Sequence, residues 1–222
     1  MIMKDAVFAV IAAKNEEKYI SNVVKETNKY VDKVVVVDDG STDSTKQKAE
    51  KIGAVVLRHV VNMGKGSAIK TGCEYAIGKG ADLIVLLDAD GQHEPKEIPK
   101  FVSALKKSDI IFGFRRRDKN MPLVLKFGNW AIDTATYLLY GVKIKDSQCG
   151  FRAFRASIYN KIKWQSSNYS MESEMIANAG KKRLKYSEIE ISTIYSDKYK
   201  GTTIIDGIKI VMNMFWWRIS RR

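Results

Sequence analysis

The chain has 222 residues, 45% of them hydrophobic, and a formal net charge of +13. This length suffices for one domain with a sizeable core. Its only cysteines, Cys73 and Cys149, lie in no metal-binding spacing, which argues against a disulfide framework or a zinc site and favours a reducing compartment. The charge predicts an anionic partner: nucleic acid, a membrane surface or a phosphate-rich substrate. With no export signal apparent and no run of about 18 apolar residues, we expect a soluble or peripheral cytoplasmic protein.

Apolar runs rich in β-branched residues alternate with helical patterns through the first half of the chain. Continuous apolar strands separated by helices predict an α/β fold with a mostly parallel sheet and helices on both faces. The predicted strands are residues 6–13, 33–37, 54–60, 83–87 and 110–114, and the predicted helices are 17–29, 44–52, 65–78 and 95–107.

The alternation loosens in the second half. Helices are predicted at 123–140 and 170–180, and strands at 148–155 and 189–195. Without a Pro- or Ser-rich linker, we expect one domain over 1–222. It would comprise a nucleotide-binding half (1–117), an acceptor-side half (118–203) and a C-terminal helix (204–222).

Polar clusters follow each strand of the first half. They begin at Lys14, Asp38, Asn62, Asp88 and Arg115. Ligands of open α/β sheets collect beyond the carboxyl ends of the strands. The sequence therefore predicts a ligand crevice at this edge.

Asp88-Ala89-Asp90 is the most informative of these clusters. Two carboxylates directly after a buried strand, with Gln92 as a further oxygen donor, suit Mg²⁺ or Mn²⁺ carrying a diphosphate, because Mg²⁺ takes one or two carboxylates plus substrate phosphates. The alternative is an ordinary acidic turn. For His93, a surface role or one behind the ligands is favoured over metal ligation.

The other clusters have separate predicted roles. Asp39 could accept hydrogen bonds from a base or ribose, while Ser41 or Thr42 could cap the next helix. The GKG segment around Lys65 lacks the full P-loop pattern, and its glycines predict a tight, ligand-facing turn. The guanidinium of Arg115 could grip a diphosphate.

Six segments, NEE, VDDGSTDST, NMGKGSAIKTG, DADGQHEP, FGFR and DSQCGFRAF, occur in the order found in a known family. Over residues 6–203 the chain resembles the inverting family 2 glycosyltransferases, whose fold is the Rossmann-like GT-A type. Within them it is most similar to the dolichyl-phosphate mannose and glucose synthases. The resemblance implies metal-dependent transfer of one sugar, with inversion, from a UDP- or GDP-sugar to polyprenyl phosphate.

The resemblance also implies site residues. Metal ligation falls to Asp88, Asp90 and Gln92, and catalysis to Asp90, Arg115 and Lys198. The family usually has an aromatic where Lys14 stands and an arginine where Lys198 stands; a lysine keeps the charge but loses bidentate geometry. The implied donor-binding residues are Ala12, Lys14, Glu16, Val37, Asp39, Lys65, Asp88, Ala89, Asp90, Arg115 and Lys198.

The acceptor separates several hypotheses. A hydroxyl acceptor needs a general base, for which Asp146, Glu172 and Glu174 are candidates, although Asp146 could instead pair with Arg152. A phosphate acceptor is already anionic and needs none. The alternatives are therefore a transferase acting on a soluble hydroxyl, a non-catalytic nucleotide-binding membrane protein, or a sugar nucleotidyltransferase, which would want a Gly-rich loop after the first strand.

The C-terminal pattern predicts an amphipathic helix. Tryptophans stand beside arginines there, a composition typical of helices in the headgroup region of a membrane, so we expect a peripheral position on the cytoplasmic face. The alternative is a helix docked on the core, with Met212 and Met214 as filler. Nucleic-acid binding has little support. The apolar positions at helical spacing are Ile204, Ile208, Val211, Phe215 and Ile219.

Overall fold

A computed structural model describes residues 5–116, 123–168, 170–192 and 204–220. Over these ranges the chain forms a seven-stranded sheet with helices on both faces. The elements are β1 (Val7–Ala13), α1 (Ile20–Thr27), β2 (Lys33–Asp39), α2 (Thr45–Lys51), β3 (Val55–His59), α3 (Lys65–Gly78), β4 (Leu83–Asp88), a 3₁₀ turn (Pro95–Glu97), α4 (Ile98–Ala104), β5 (Ile110–Arg115), α5 (Leu123–Tyr140), β6 (Arg152–Arg155), a 3₁₀ turn (Ala156–Ile158), α6 (Tyr159–Ile162), α7 (Ser170–Lys181), β7 (Tyr186–Ile191) and α8 (Ile204–Ser220).

The sheet has the order β3-β2-β1-β4-β6-β5-β7. All pairs are parallel except those of β6, which runs antiparallel to both β4 and β5. The predicted mostly parallel α/β sheet is therefore confirmed.

The central strands read as unbroken apolar runs because both of their faces are covered. Along β1, Phe8 and Val10 pack into the core beneath α3, α5, α7 and α8, whereas Ala9 and Ile11 pack beneath α1, α2 and α4. Successive side chains of a strand point to opposite faces. A strand with two buried faces therefore needs apolar residues at every position.

Two predicted strands of the second half shift. The strand expected at 148–155 begins only at Arg152, because residues 147–150 form a loop. The strand expected at 189–195 begins at Tyr186 and ends at Ile191. Parallel pairing of Ile110 with Tyr186 sets its start. Backbone pairing with β5 thus places polar residues in β7. A prediction based on apolar runs does not detect such residues as part of a strand.

The strand register sets up the ligand edge. Ala12 of β1 pairs with Val37 of β2 on one side and with Asp88 of β4 on the other. Because β6 is antiparallel, its first residue, Arg152, lies opposite Leu86 near the carboxyl end of β4. The loop that precedes β6 therefore reaches the same edge as the carboxyl ends of the parallel strands.

Helix α8 docks on α5 and α7. Met214 and Trp217 are buried, and the Tyr140 hydroxyl donates to the Met214 carbonyl. The outer side of the helix is also apolar, since Met212 and Trp216 are each 67% exposed. Docking on the core is thus observed, while the amphipathic division stays a prediction. Within the described ranges, no helix is both long and apolar enough to cross a bilayer.

Candidate active site

Lys65 joins two carboxylates at the carboxyl end of β4. Its Nζ lies 2.6 Å from Asp88 Oδ1 and 2.9 Å from Glu172 Oε1. Burial alone would raise the pKa of Asp88, but the adjacent ammonium outweighs it and lowers that pKa to about 2. Burial would likewise lower the pKa of Lys65, yet the two carboxylates raise it. Asp88 and Lys65 are therefore both charged at neutral pH.

The glycines that flank Lys65 explain its position. Gly64 has φ +92°, and α3 starts directly after it. A Cβ on Gly66 would lie 2.2 Å from the Ser166 carbonyl oxygen, and the Gly66 amide donates to the Ser167 carbonyl at 2.8 Å. The turn is tight, as predicted, but the glycines face the 166–167 backbone, and it is the Lys65 side chain that reaches Asp88.

Asp90 and Gln92 form the half-buried turn after β4. The Gln92 amide N–H donates to Asp90 Oδ1 at 3.0 Å. Gly150 closes the other side of Asp88, because a Cβ there would lie 2.5 Å from Asp88 Oδ2. The loop before β6 can approach the carboxylate this closely only with glycine at that position.

His93 lies behind these carboxylates and is buried. Its Nδ1 accepts from the Asp88 amide at 3.3 Å, and its ring centroid lies 5.4 Å from that of Phe151. Burial lowers the pKa of His93 in spite of Asp88 and Asp90. The imidazole is therefore a neutral support for the turn, one of the two roles favoured from the sequence.

The donor atoms fit a hard divalent cation of low protein coordination. In the described part of the chain, no group of three or more His, Cys, Asp or Glu side chains could hold a metal. Mg²⁺ needs only one or two carboxylates when waters and substrate phosphates complete its shell. Asp90 offers one such carboxylate, Gln92 in the same turn carries an amide oxygen, and Asp88 shares its charge with Lys65. The metal ligands stay a prediction.

Arg115 and Asp146 form a bidentate pair at the end of β5. Arg115 Nε lies 2.7 Å from Asp146 Oδ2, and Nη2 lies 3.1 Å from Oδ1. Burial would raise the pKa of Asp146, but the guanidinium outweighs it and lowers that pKa. A guanidinium has five N–H donors, so this pair leaves others for a phosphate group.

Arg152 does not pair with Asp146, so that sequence-based alternative is wrong. Its buried guanidinium donates to the carbonyls of Cys149 at 2.9 Å, Glu172 at 2.6 Å and Ser147 at 2.8 Å. Arg152 thus ties the loop before β6 to the first turn of α7. Arg115, one strand away, is the residue whose side chain reaches Asp146.

Asp39 organises the loop between β3 and α3. Its carboxylate accepts from the amides of Met63 and Gly64, both at 2.8 Å, and Oδ1 lies 2.7 Å from His59 Nδ1. Sequence reasoning missed His59, although it ends β3 beside Asp39 in the register. The predicted nucleotide-binding role of Asp39 stays a prediction.

The loop after β1 is fastened to the loop after β2. The Asn15 amide donates to Ser41 Oγ, and Asn15 Oδ1 accepts from the Thr42 amide, both at 2.9 Å. The prediction that Ser41 or Thr42 caps α2 is wrong, because that helix begins at Thr45 after Ser44. Asp43 accepts from the Thr45 amide instead, at 2.9 Å.

The remaining predicted residues occupy different environments. Val37 and Ala89 are buried, Ala12 is half-buried, Glu16 is buried with its amide donating to Thr45 Oγ1, and Lys14 is exposed. Lys198 lies outside the described residues. At the carboxyl ends of β1, β2, β4 and β5 the structure gathers these predicted residues: Ala12, Val37, Asp39, Lys65, Asp88, Ala89, Asp90 and Arg115.

Comparison with known proteins identifies the family. Residues 8–163 match the model of "Glycosyl transferase family 2". The chain belongs to glycosyltransferase family 2. A UDP-N-acetylglucosamine–dolichyl-phosphate N-acetylglucosaminyltransferase of Methanococcus voltae is 32% identical, over 97% of each chain. An undecaprenyl-phosphate mannosyltransferase of Micrococcus luteus is 28% identical, over 85% of this chain and 83% of its own.

A solved structure supports the fold of this glycosyltransferase. Glucosyl-3-phosphoglycerate synthase from Mycobacterium tuberculosis, in complex with Mn²⁺, UDP and glucosyl-3-phosphoglycerate, superposes with a TM-score of 0.72 at 20% identity. The match covers 95% of this chain and 80% of that one. The expected GT-A fold is thereby confirmed.

Proposed function

We propose that this glycosyltransferase moves one sugar, with inversion, from a UDP- or GDP-sugar to a polyprenyl phosphate such as dolichyl phosphate. One observation carries the choice of acceptor: each candidate base is held by a cation or by backbone amides through at least one carboxylate oxygen. Asp146 binds Arg115, Glu172 binds Lys65, and Glu174 accepts from the amides of Gln165 and Ser166. A phosphate acceptor needs no base, which agrees with a site built from cations and engaged carboxylates.

Each group at the sheet edge has a role in this reaction. Ala12 and Val37, which pair across β1 and β2, would hold the nucleoside together with Asp39. Residues 118–203 would hold the acceptor. Loss of the nucleoside diphosphate leaves an oxocarbenium-like sugar and places negative charge on the leaving group. Arg115, which keeps N–H donors beyond those that bind Asp146, would supply positive charge where that negative charge develops, and Lys65 would neutralise Asp88 beside it.

Asp90 and Gln92 are the residues that would hold Mg²⁺ or Mn²⁺ beside the diphosphate. When bound, such a cation supplies Lewis-acid stabilisation of phosphate oxygens. The Mycobacterium tuberculosis neighbour contains Mn²⁺ and UDP, and the Methanococcus voltae relative is named for UDP-N-acetylglucosamine. A UDP-sugar with Mn²⁺ is therefore the first combination to test.

An exposed apolar patch suits a lipid acceptor. On α5 it contains Tyr137 and Leu138, 53% and 74% exposed, and α8 lies against that helix. Arg218 is exposed on the same helix as the α8 members, and a basic residue near anionic lipid adds about 1 kcal/mol. We propose that the patch rests on the anionic cytoplasmic face of the membrane. Its α8 members are Met212, Phe215, Trp216 and Ile219.

The membrane contact can be tested by flotation with anionic and neutral vesicles. A double variant, Phe215→Ser with Trp216→Ser, should float less with anionic vesicles because it loses exposed apolar area. The buried residues Met214 and Trp217 are left unchanged. Unchanged flotation of this variant would refute the proposed membrane contact, but it would not bear on the proposed reaction.

The reaction is tested by transfer of labelled sugar into organic-extractable lipid. Purified protein receives polyprenyl phosphate, Mn²⁺ or Mg²⁺, and labelled UDP- and GDP-sugars. We expect metal-dependent lipid label that falls about 100-fold or more in Asp90→Ala, a loss of the size seen when transition-state electrostatics are removed. Lipid label absent with every donor, while the nucleotide still binds, would contradict the acceptor. Transfer to a soluble hydroxyl would then establish the alternative.

A further inference from the structure

Glu172 is a buried carboxylate next to the predicted donor site, in the first turn of α7. It is 2% exposed, and its Oε1 lies 2.9 Å from Lys65 Nζ, which also binds Asp88. Arg152 fixes the backbone at this point by donating to the Glu172 carbonyl. Lys65 therefore bridges the Glu172 side chain to Asp88, which directly precedes the turn predicted to bind the metal.

The second oxygen of Glu172 lacks a donor in the part of the chain that the structure describes. Oε2 is buried and has no hydrogen-bond partner among the atoms of the described residues. Buried polar groups are nearly always hydrogen-bonded, and an exception calls for a specific explanation. A carboxylate oxygen held at a substrate site and lacking a donor is explained when the substrate supplies that donor.

Glu174, two residues along the same helix, shows what a purely structural carboxylate looks like here. Its Oε1 accepts from the Gln165 amide at 3.0 Å, and Oε2 accepts from the Ser166 amide at 3.0 Å and the Ser166 hydroxyl at 2.6 Å. Both oxygens serve the loop that packs on Gly66. Glu172 has the same chemistry and comparable burial, yet it uses only one oxygen in this way.

The chemistry of the reactants narrows what could meet Oε2. Phosphate groups of donor and acceptor are anionic acceptors, so a carboxylate repels them. The adjacent cation, Lys65, already binds Oε1. A sugar hydroxyl is neutral and can donate, and the sugar of a bound donor follows directly after the diphosphate. A hydroxyl of the transferred sugar is thus the complementary group.

We infer that Glu172 is a specificity-determining residue whose Oε2 accepts a hydrogen bond from a hydroxyl of the donor sugar. This inference rests on the proposed function for its donor. Lys65 then serves both parts of the donor molecule: it neutralises Asp88 beside the diphosphate and orients Glu172 toward the sugar. Discrimination between sugars follows, because an isomer without a hydroxyl in reach leaves the carboxylate oxygen unpaired.

The test is calorimetric titration of donor without acceptor. Wild type, Glu172→Gln and Glu172→Ala are titrated with UDP-N-acetylglucosamine, UDP-glucose and GDP-mannose, and with free UDP and GDP. For the donor whose sugar adds affinity in wild type, we expect binding to weaken about 10-fold in the Gln variant and about 100-fold in the Ala variant, as loss of a charged hydrogen bond implies. Free-nucleotide binding should weaken by no more than about twofold, since no nucleotide contact is removed.

Glu174→Gln is the matched control, with the same charge change two residues away. It should lower the melting temperature while leaving the ratio of sugar-nucleotide to free-nucleotide affinity unchanged. The inference is overturned if sugar-nucleotide binding in both Glu172 variants matches wild type, even when turnover is lost, because that result identifies a base. It is also overturned if free and sugar-bearing nucleotides weaken equally.

Deoxy donors provide a second measurement. Removing the hydroxyl that Glu172 binds should weaken wild type but add no further loss in Glu172→Ala, whereas equal losses in both proteins would contradict the contact. Because the titrations contain no lipid, failure of lipid labelling would refute the proposed acceptor alone. Unaltered titrations would refute the sugar contact alone.

Discussion

Lys65 and Arg115 are both cations at the sheet edge, but they are held in opposite ways. Arg115 binds Asp146 in a bidentate pair, its one carboxylate partner among the described residues. Lys65 is shared between Asp88 and Glu172 through a single nitrogen. A lysine is a compact charge that serves partners in several directions, whereas arginine fixes one planar partner. Lys65 therefore couples groups from different elements, and Arg115 anchors one loop.

Replacing Lys65 tests the coupling most severely. Lys65→Met would leave Asp88 and Glu172 without their shared cation, and an uncompensated buried charge costs about 3–5 kcal/mol. We expect the free energy of unfolding, measured in urea, to fall by that amount. Lys65→Arg, which keeps the charge, is the control and should lose less than half as much. A Met variant as stable as wild type would show that the three groups are not coupled.

Acid should reveal the same coupling without mutation. The folded pKa of Asp88, about 2, lies below its ordinary value of 3.8, so its contribution is fully present above the ordinary value and disappears as pH falls through the folded one. The difference corresponds to roughly 2 kcal/mol. Urea unfolding between pH 5 and pH 2 should show this loss in wild type. In Lys65→Met, the part of this pH dependence that comes from Asp88 should be absent. If the free energy of unfolding falls equally with pH in wild type and in the variant, the two groups are not coupled.

Arg115→Lys is the mildest change and tests the geometry of the second pair. The charge remains but the bidentate contact to Asp146 is lost, and the pair is partly exposed. We therefore expect a stability loss of only about 1 kcal/mol. The rate of sugar transfer should fall more noticeably, because the loop before β6 loses its anchor. A rate unchanged in this variant would limit Arg115 to a charge role.

The local features of the fold were predictable from the sequence. Helices α3 and α5 were predicted with the bounds that the structure shows, because Gly64 stands directly before the first and the apolar spacing of the second is regular. The DAD turn was placed correctly after β4. These features depend on residues near one another in the chain, where periodicity and turn chemistry act directly.

Pairings between distant residues were not predictable in this way. Lys65 and Glu172 meet because α3 and α7 cover the same face of the sheet. Asp146 meets Arg115 rather than Arg152 because β6 inserts beside β5 and directs Arg152 toward backbone carbonyls. His59 meets Asp39 through the register of β2 and β3. Each of these contacts follows from tertiary geometry, which composition and spacing do not encode.

The position of β6 has a consequence for how the chain acquires its structure. β6 follows β4 and β5 in sequence but lies between them in the sheet. During synthesis, β5 therefore has no strand to join on the β4 side until residues 152–155 emerge. A fragment ending near residue 117 would lack the strand that links β4 to β5. The first half of the chain would thus depend on later residues to complete its sheet, because β5 joins β4 only through β6.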